Sequence, residues 1–355
     1  MYGSLIGNNF RVMTFGESHG PAVGVVAEGL PAGIKIELSD IQKDLDRRRP
    51  GKTPFASPRN EPDLAEILSG FTREGRTNGA PIAILIRNTQ AKSEDYAPIQ
   101  DKFRPGHADL SYFLKYGLKP QPGGGRASGR ETAARVAAGA LARAFLAHQG
   151  IEVQAGVLQV GKILAKNLDF PASRDDPLYF LDPQLSPLAQ KEVEQAMAQG
   201  NSVGGIVELQ AHSLPPGWGE PVFGKLFALL GGAFFSIGAV RAVEFGEGIK
   251  LASLLGSEAN DPLSPEGYVS NRHGGALGGI STGEPLIARL FVKPTPTIKI
   301  PQETLDLKFA KTTISAAGRH DPCVAPRLAP VAEAMCLLVL ADLALARKAQ
   351  VEEKN

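Results

Sequence analysis

The residues best suited to chemistry are concentrated in the middle of the chain. The segment RPGHAD contains His107, a side chain whose pKa ordinarily lies near neutrality. Three consecutive glycines follow downstream, and after them come Arg126, Ser128 and Arg130, where a loop is predicted to become a helix. Glycines let a backbone approach a ligand closely, and arginines beside the open N–H groups of a helix start suit a phosphate or carboxylate. A turn that caps a buried helix, with solvated arginines, explains the same residues.

Two further polar groups stand in predicted turns. Gly16-Glu-Ser-His-Gly20 places His19 between two strands, where a rigid scaffold can present a functional side chain, although a plain hairpin with a surface histidine has the same pattern. Arg47, Arg48 and Arg49 end a predicted helix, where cations complement the helix dipole. Because three consecutive arginines cannot all point the same way, we expect some of them to face a second anion.

Length and composition set broad bounds. The chain has 355 residues, 43% of them hydrophobic and 21% charged, which is typical of globular proteins. Lys plus Arg (38) nearly cancel Asp plus Glu (37), so no global field indicates nucleic acid or an anionic membrane. The two cysteines match no metal or disulfide pattern and fit a reducing cytoplasm. We expect a soluble single domain over residues 1–355, without signal peptide or membrane span and with a frayed C-terminus.

The elements that must position these groups do not follow a regular βαβ order, so the chain is predicted to be α+β. Strands are expected at residues 10–15, 22–27, 64–70, 82–86, 203–211, 239–245 and 286–292. Helices are expected from a capping box at Ser39 to Pro50 and at 129–148, 186–200, 222–235 and 329–347. Residues 256–285, rich in Gly, Asn and Ser, are expected to form a long ordered loop.

Two other classes of protein also use clustered arginines. A phosphotransferase needs a complete P-loop or a carboxylate pair for magnesium. The matches to GxxxxGK at 156–162 and 219–225 have Ile163 and Leu226 in place of the magnesium-binding Ser or Thr. A nucleic-acid-binding module would use the arginine triplet, but the chain lacks a basic stripe. No strict GxGxxG indicates a dinucleotide-binding unit.

Three segments, in this order and spacing, resemble the signatures of the chorismate synthase family. They are Gly16-Glu-Ser-His-Gly20, Gly125-Arg-Ala-Ser-Gly-Arg-Glu-Thr132 and Arg319-His-Asp-Pro-Cys323, and the segments RPGHAD, DLDRRRPG, LGGIS and KPT agree. The resemblance implies a shikimate-pathway lyase that converts 5-enolpyruvylshikimate 3-phosphate to chorismate by trans-1,4-elimination of phosphate and a ring hydrogen. It further implies a requirement for reduced FMN, a fold of helices sandwiched between antiparallel β-sheets, and a homotetramer.

The resemblance also implies roles for individual residues. His19 would be the general acid for the departing phosphate, His107 would supply a proton to the reduced flavin, and Asp321 would help to remove the ring hydrogen. Positions that match the family's substrate site are Arg48, Arg104, Ser128, Arg130 and Arg319. Positions that match its cofactor site are Arg48, which some accounts assign to NADPH, Arg126, Ala127, Ser128, Gly238, Ala239, Gly278, Lys293, Pro294, Thr295, Pro296, Thr297 and Arg319.

The chain departs from the family pattern at a few positions. Pro54 stands where many relatives carry an arginine, a role that Lys52 or Arg59 would have to take over. Ala127 replaces a common serine, and Gly238 replaces the asparagine of some relatives. The insertion expected of members that reduce their own flavin is missing, so we expect a monofunctional enzyme served by a separate flavin reductase, with NADPH only as an indirect electron source.

Overall fold

A computed structural model describes residues 3–51, 53–56, 61–89, 99–315 and 320–350, with side chains described as far as residue 347. Arg319, Lys52 and Arg59, all named above, lie outside the described residues. The strands are β1 (Leu5–Ile6), β2 (Arg11–Gly16), β3 (Ala22–Glu28), β4 (Ala65–Ile67), β5 (Ile82–Arg87), β6 (Glu152–Val160), β7 (Ile163–Leu164), β8 (Gly205–His212), β9 (Val240–Phe245), β10 (Leu263–Ser264), β11 (Gly267–Tyr268), β12 (Ala276–Leu277), β13 (Ile280–Ser281), β14 (Leu286–Val292), β15 (Gln302–Leu305) and β16 (Lys311–Ile314). The helices are α1 (Leu38–Arg48), α2 (Asp109–Tyr116), α3 (Thr132–Ala147), α4 (Phe170–Ser173), α5 (Ser186–Ala198), α6 (Leu226–Phe235), α7 (Gly256–Ala259) and α8 (Ala325–Gln350).

Two five-stranded antiparallel sheets form the outer layers. The first has the order β1-β2-β3-β5-β4 and the second β7-β6-β8-β14-β9. Alternate residues of β5 and β14 are buried, as a half-buried strand requires. The predicted hairpin of β2 and β3 and the pairing of β4 with β5 are confirmed.

Helices fill the space between the sheets. Helix α3 packs on β3 and β5 of the first sheet, α8 packs on β6 and β8 of the second, and α3 and α8 pack on each other. The alanines of α3 permit this close approach. A Cβ added at Gly139 would lie 2.5 Å from the Cβ of Ala334. The predicted α+β fold, with helices held between antiparallel sheets, is confirmed.

Several predicted boundaries shift for local physical reasons. Helix α1 begins at Leu38, one residue before the predicted cap, because Glu37 is its N-cap and donates its N–H to the Asp40 carboxylate over 3.3 Å. Helix α3 begins only at Thr132, because the preceding residues form 3-10 turns that contain glycines with positive φ. The predicted long loop at 256–285 contains α7 and the ribbons β10–β11 and β12–β13.

Helix α8 is long and apolar enough to cross a membrane by length and composition alone. Within its stretch Ala325–Arg347, 83% of the most apolar window is buried inside the protein. Its apolar surface is therefore covered by the sheets and the other helices, as in the core helix of a globular fold.

Candidate active site

The described residues enclose a cavity of about 670 Å³. Its walls come from the turn after β2, the end of α1, the RPGHAD segment, the glycine-rich turn, the α6–β9 connection, the segment after β14 and the start of α8. The predicted site residues that line it are His19, Arg48, Arg104, His107, Arg126, Ala127, Ser128, Arg130, Gly238, Ala239, Lys293, Thr295, Pro296, Thr297 and Asp321.

Three predicted site residues are not placed in this wall. Gly278 lies in the turn between β12 and β13, where a side chain would meet open space, and it is not a lining residue. Pro294 packs instead beside Gly204. Arg319 lies outside the described residues. Their roles stay predictions.

The glycine-rich turn brings backbone against the His19 ring. Gly123, Gly124 and Gly125 have φ of +74°, +92° and +52°, which L side chains rarely adopt. A Cβ at Gly123 would lie 2.3 Å from the imidazole of His19. The turn that carries the histidine is held by Asn88, whose Nδ2 donates to the carbonyls of Glu17 (2.9 Å) and Gly20 (2.7 Å). The glycines are therefore required for the position of His19 as well as for the shape of the cavity.

Arg48 and Arg130 share one buried carboxylate. Asp63 is fully buried and accepts from Arg48 Nη1 over 2.7 Å and also from Arg130 Nη1. Burial by itself would raise the pKa of Asp63, but the two guanidiniums more than offset it and hold that pKa below its usual range. Burial lowers the pKa of Arg48 to about 10, with Asp63 opposing the shift. The pair still carries more positive than negative formal charge at neutral pH.

Arg104 and His107 lie in the RPGHAD segment, just before α2. Arg104 donates from Nε (2.8 Å) and Nη2 (2.7 Å) to the carboxylate of Asp109. His107 contacts the Pro105 carbonyl through Nδ1 and Thr297 Oγ1 through Nε2, both at 2.9 Å. A carbonyl only accepts, so Nδ1 carries the proton and Nε2 accepts from the threonine. Burial, together with the charge of Arg104, lowers the pKa of His107.

Asp321 is paired with a residue that the sequence did not single out. Its carboxylate accepts from Arg327 Nη1 over 2.5 Å, and Arg327 lies in the first turn of α8 and lines the cavity. In the sequence, Arg319 is the arginine nearest to Asp321. Among the described residues, Arg327 is the arginine that contacts the Asp321 carboxylate. His320 also lines the cavity, and burial lowers its pKa to about 4, with the neighbouring His107 contributing.

The walls formed by the α6–β9 connection and by the segment after β14 have the features of a cofactor site. Ala239 has φ of +74°, an unusual backbone conformation that tends to mark functional sites. Thr295 Oγ1 is buried and finds no hydrogen-bond partner within the described ranges, so it is available to a bound molecule. Lys293 Nζ donates to the Gly106 carbonyl over 2.6 Å, beside Pro296. The cavity of about 670 Å³ has room for a bound cofactor, and the Thr295 hydroxyl offers it a polar contact.

Arg126 differs from the other cavity arginines in its partners. Its guanidinium donates to neutral oxygens of β2, namely the Gly16 carbonyl (3.1 Å) and Thr14 Oγ1 (2.7 Å). These contacts give the charge of Arg126 no carboxylate partner. An anion bound beside Arg126 in the cavity would supply the missing negative charge.

Sequence reasoning missed four residues of the site. Asp109 was visible inside RPGHAD, next to the histidine, and His320 and Arg327 stand in and just after the third motif. Asp63 had no local signal, because it lies in an irregular stretch and its partners are 15 and 67 positions away.

Comparisons with known proteins agree with the geometry. The family model described as chorismate synthase matches residues 10–345. The chorismate synthase of Syntrophobacter fumaroxidans is 49% identical over 354 residues, covering 100% of both chains. Those of Wolinella succinogenes (49%) and Chloroflexus aurantiacus (50%) each cover 96% of this chain and 95% of their own. A crystal structure of a chorismate synthase superimposes with a TM-score of 0.77 at 30% identity, covering 96% of this chain and 93% of that one.

Proposed function

The chain belongs to the chorismate synthase family, and from this we propose how the residues of the cavity divide the reaction among them. The enzyme is a lyase of the shikimate pathway that forms chorismate from 5-enolpyruvylshikimate 3-phosphate by trans-1,4-elimination. The phosphate leaves with the electron pair of its C–O bond, and a ring carbon loses its proton. The electron pair of that C–H bond forms a new C=C bond, and the existing ring C=C bond shifts to the carbon that lost the phosphate. No net oxidation occurs.

The observation that carries the assignment is that the three guanidiniums assigned to the substrate and three proton-transfer groups line one cavity. Arg48, Arg104 and Arg130 are each held by a carboxylate on the protein side. A substrate with one phosphate and two carboxylates needs several such groups, because guanidiniums bind these anions through paired N–H donors and stay charged. We assign the three arginines and Ser128 to the substrate, and Arg319 with them on the strength of the resemblance alone.

Three side chains are proposed to move protons. His19 protonates the departing phosphate, since it lies at the glycine-rich turn beside the arginines. Asp321 accepts the ring proton, and its carboxylate is held in place by the Arg327 guanidinium at 2.5 Å. His107 holds a proton on Nδ1. Burial, with the charge of Arg104, lowers the pKa of the ring, so a second proton taken up on Nε2 is readily given up.

The family implies a flavin cofactor, which we propose to be reduced FMN. When bound it supplies transient electron donation to the substrate. The residues proposed to hold it are Arg126, Ala127, Ser128, Gly238, Ala239, Lys293, Thr295, Pro296 and Thr297, with Gly278, Pro294 and Arg319 added from the resemblance. Their support is the Thr295 hydroxyl, for which the described residues supply no hydrogen-bond partner, the neutral partners of Arg126 and the unusual backbone conformation of Ala239.

Further properties of the family are proposed for this chain. We propose a homotetramer in the cytoplasm, supplied with reduced flavin by a separate reductase, with NADPH only as an indirect source of electrons. Large apolar side chains on the surface, such as Phe223 (93% exposed) and Ile249 (79%), support self-association. The mass of the protein in solution, measured by light scattering, tests the tetramer.

The test of the cofactor assignment is an anaerobic assay. Enzyme with chemically reduced FMN should form chorismate over many turnovers, and enzyme with oxidised FMN should not. The reduced flavin should remain reduced throughout, because the reaction has no net redox change. Consumption of one reduced flavin per chorismate, measured by absorbance, would contradict the proposal.

A further inference from the structure

Asp63 stands behind the two arginines and away from any proposed proton transfer. It is 0% exposed, and its two carboxylate oxygens go to different partners, one to Arg48 and one to Arg130. Arg48 is 1% exposed. The three side chains thus form a buried arch in which one carboxylate spans two guanidiniums.

The remaining anchors of both arginines are neutral. Arg48 also donates from Nε to Thr132 Oγ1 (3.2 Å) and from Nη2 to the Gly129 carbonyl (3.0 Å). Arg130 also donates from Nε to Asn88 Oδ1 (2.7 Å) and from Nη2 to the Arg87 carbonyl (3.2 Å). Of these contacts, only the shared carboxylate is charged, and charge-assisted bonds are the strong ones.

The backbone holds Asp63 in an unfavourable conformation. Its φ is +49°, in the left-handed region that residues other than glycine rarely adopt. Gln42 clamps the segment on both sides: its Nε2 donates to the Asp63 carbonyl (3.3 Å) and its Oε1 accepts from Ala65 N (3.2 Å). The fold therefore maintains the position of this carboxylate at a cost in stability.

We propose that Asp63 is a positioning residue for the substrate anion: by bridging Arg48 and Arg130 it sets the spacing and orientation of both guanidiniums. This inference rests on the proposed assignment of those arginines to the substrate. Asp63 itself touches neither the substrate nor the reacting atoms.

Asparagine cannot replace this carboxylate, although it has the same shape. An amide offers one acceptor oxygen and an NH2 group that can only donate. One of the two guanidiniums must then lose its partner and turn toward other acceptors. The extra positive charge attracts an anion more strongly. A displaced guanidinium, however, no longer directs its N–H donors at the substrate's oxygens, and small displacements have large effects on binding and rate.

The experiment is calorimetric titration of flavin-free enzyme with 5-enolpyruvylshikimate 3-phosphate, with oxidised FMN binding followed separately by fluorescence. We expect Asp63→Asn to bind the substrate at least about tenfold more weakly. FMN affinity should stay within about twofold, because the proposed flavin residues Arg126 and Lys293 are held by other partners, Gly16 and Thr14 for Arg126 and Gly106 for Lys293. Unchanged substrate affinity, or equal losses for substrate and FMN, would overturn the proposal.

The matched control is Glu333→Gln, which neutralises a buried carboxylate that likewise holds two arginines but lies outside the cavity lining. It should leave both affinities unchanged within about twofold. If Asp63→Asn does not fold, Asp63→Glu serves, since it keeps the charge and moves the carboxylate by one methylene. A folded Asp63→Glu enzyme with normal substrate affinity would refute the positioning role.

The variant Arg130→Met tests the assignment of Arg130 to the substrate separately from the role of Asp63. Normal binding by Arg130→Met would contradict the assignment itself. Weak binding by Arg130→Met together with normal binding by Asp63→Asn would contradict only the role of Asp63.

Discussion

Arg47 and Arg48 are neighbours in α1, yet they belong to two different buried ion-pair clusters. Arg47 donates to both oxygens of Glu333 in α8, at 2.7 and 2.8 Å, and the same carboxylate accepts from Arg143 at 2.7 Å. Arg48 joins Arg130 and Asp63 at the cavity. Successive residues of a helix project about 100° apart, so one turn of α1 serves the interior and the site.

The two clusters differ in charge balance. In the first, which we call the core cluster, Arg47 and Arg143 meet Glu333 and Asp44, so that formal charges cancel. In the second, the site cluster, Arg48 and Arg130 meet Asp63 alone and one positive charge is left over. A balanced buried cluster needs no ligand, whereas a surplus of positive charge against a cavity favours an anion.

The largest expected effect belongs to a third pair, Asp321 with Arg327. Asp321→Asn preserves the shape and removes the basicity, so it should lower kcat by about a thousandfold with substrate and FMN affinity largely retained. Turnover and thermal unfolding should be measured together. A variant that melts early but turns over normally would show that Asp321 only supports the start of α8.

Within the core cluster, Glu333→Gln leaves two partly buried guanidiniums without the buried carboxylate that they share. The free energy of unfolding should fall by about 3 kcal/mol. Urea unfolding measures this loss. Activity at a temperature where the variant is folded should match wild type, and a raised KM would mean that the core cluster also shapes the site.

Replacing the neighbouring arginines separately tests the comparison directly. Arg48→Met should weaken substrate binding by about a hundredfold, because it removes charge-assisted hydrogen bonds. Arg47→Met should lower the melting temperature and leave substrate binding unchanged. Equal losses of substrate affinity in the two variants would erase the distinction between the clusters.

Lowering the pH should have a smaller effect, on the stability that the core cluster contributes. Arg47 and Arg143 hold the pKa of Glu333 below its ordinary value of 4.5, despite burial, which acts in the opposite direction. A lowered folded-state pKa contributes stability that is present above pH 4.5 and is lost as the pH falls through the folded-state pKa. Wild type should therefore lose stability on acidification more steeply than Glu333→Gln, as measured by urea unfolding at several pH values. Parallel curves would contradict this account.

Salt should have the smallest effect. Because Arg48 and Arg130 are buried and poorly screened, substrate affinity should fall only a few-fold between about 0.01 and 0.15 M ionic strength. Calorimetric titration in the two buffers measures it. A loss much steeper than this would place the substrate's charges among solvated arginines.

The elements with a clear periodicity were predictable from the sequence. Strands β2, β3, β5 and β14 follow from alternation, and α3 and α8 follow from long apolar runs. The helix and ribbons within residues 256–285 were not predictable, because side-chain contacts hold this region in its conformation. Asp261 accepts from Ser270 Oγ (2.6 Å), Arg272 N (2.8 Å) and His273 Nδ1 (2.6 Å), and such contacts leave no periodic trace.

The sequence by itself determined which residues could do the chemistry. The three motifs contain His19, Arg130 and Asp321, and the glycines at 123–125 are needed because only glycine readily adopts their backbone angles. Their residue types and order were sufficient to identify the family.

Only the tertiary structure decided which carboxylate pairs with which arginine. Arg47 and Glu333 are 286 positions apart, and Asp63 reaches Arg130 across 67. Local propensity sets the backbone of a helix or strand, but the partner of a buried charge is set by whichever elements pack against it. Three consecutive arginines therefore read alike in the sequence, and the packing of α1 against α3 and α8 makes Arg47 part of the core and Arg48 part of the site.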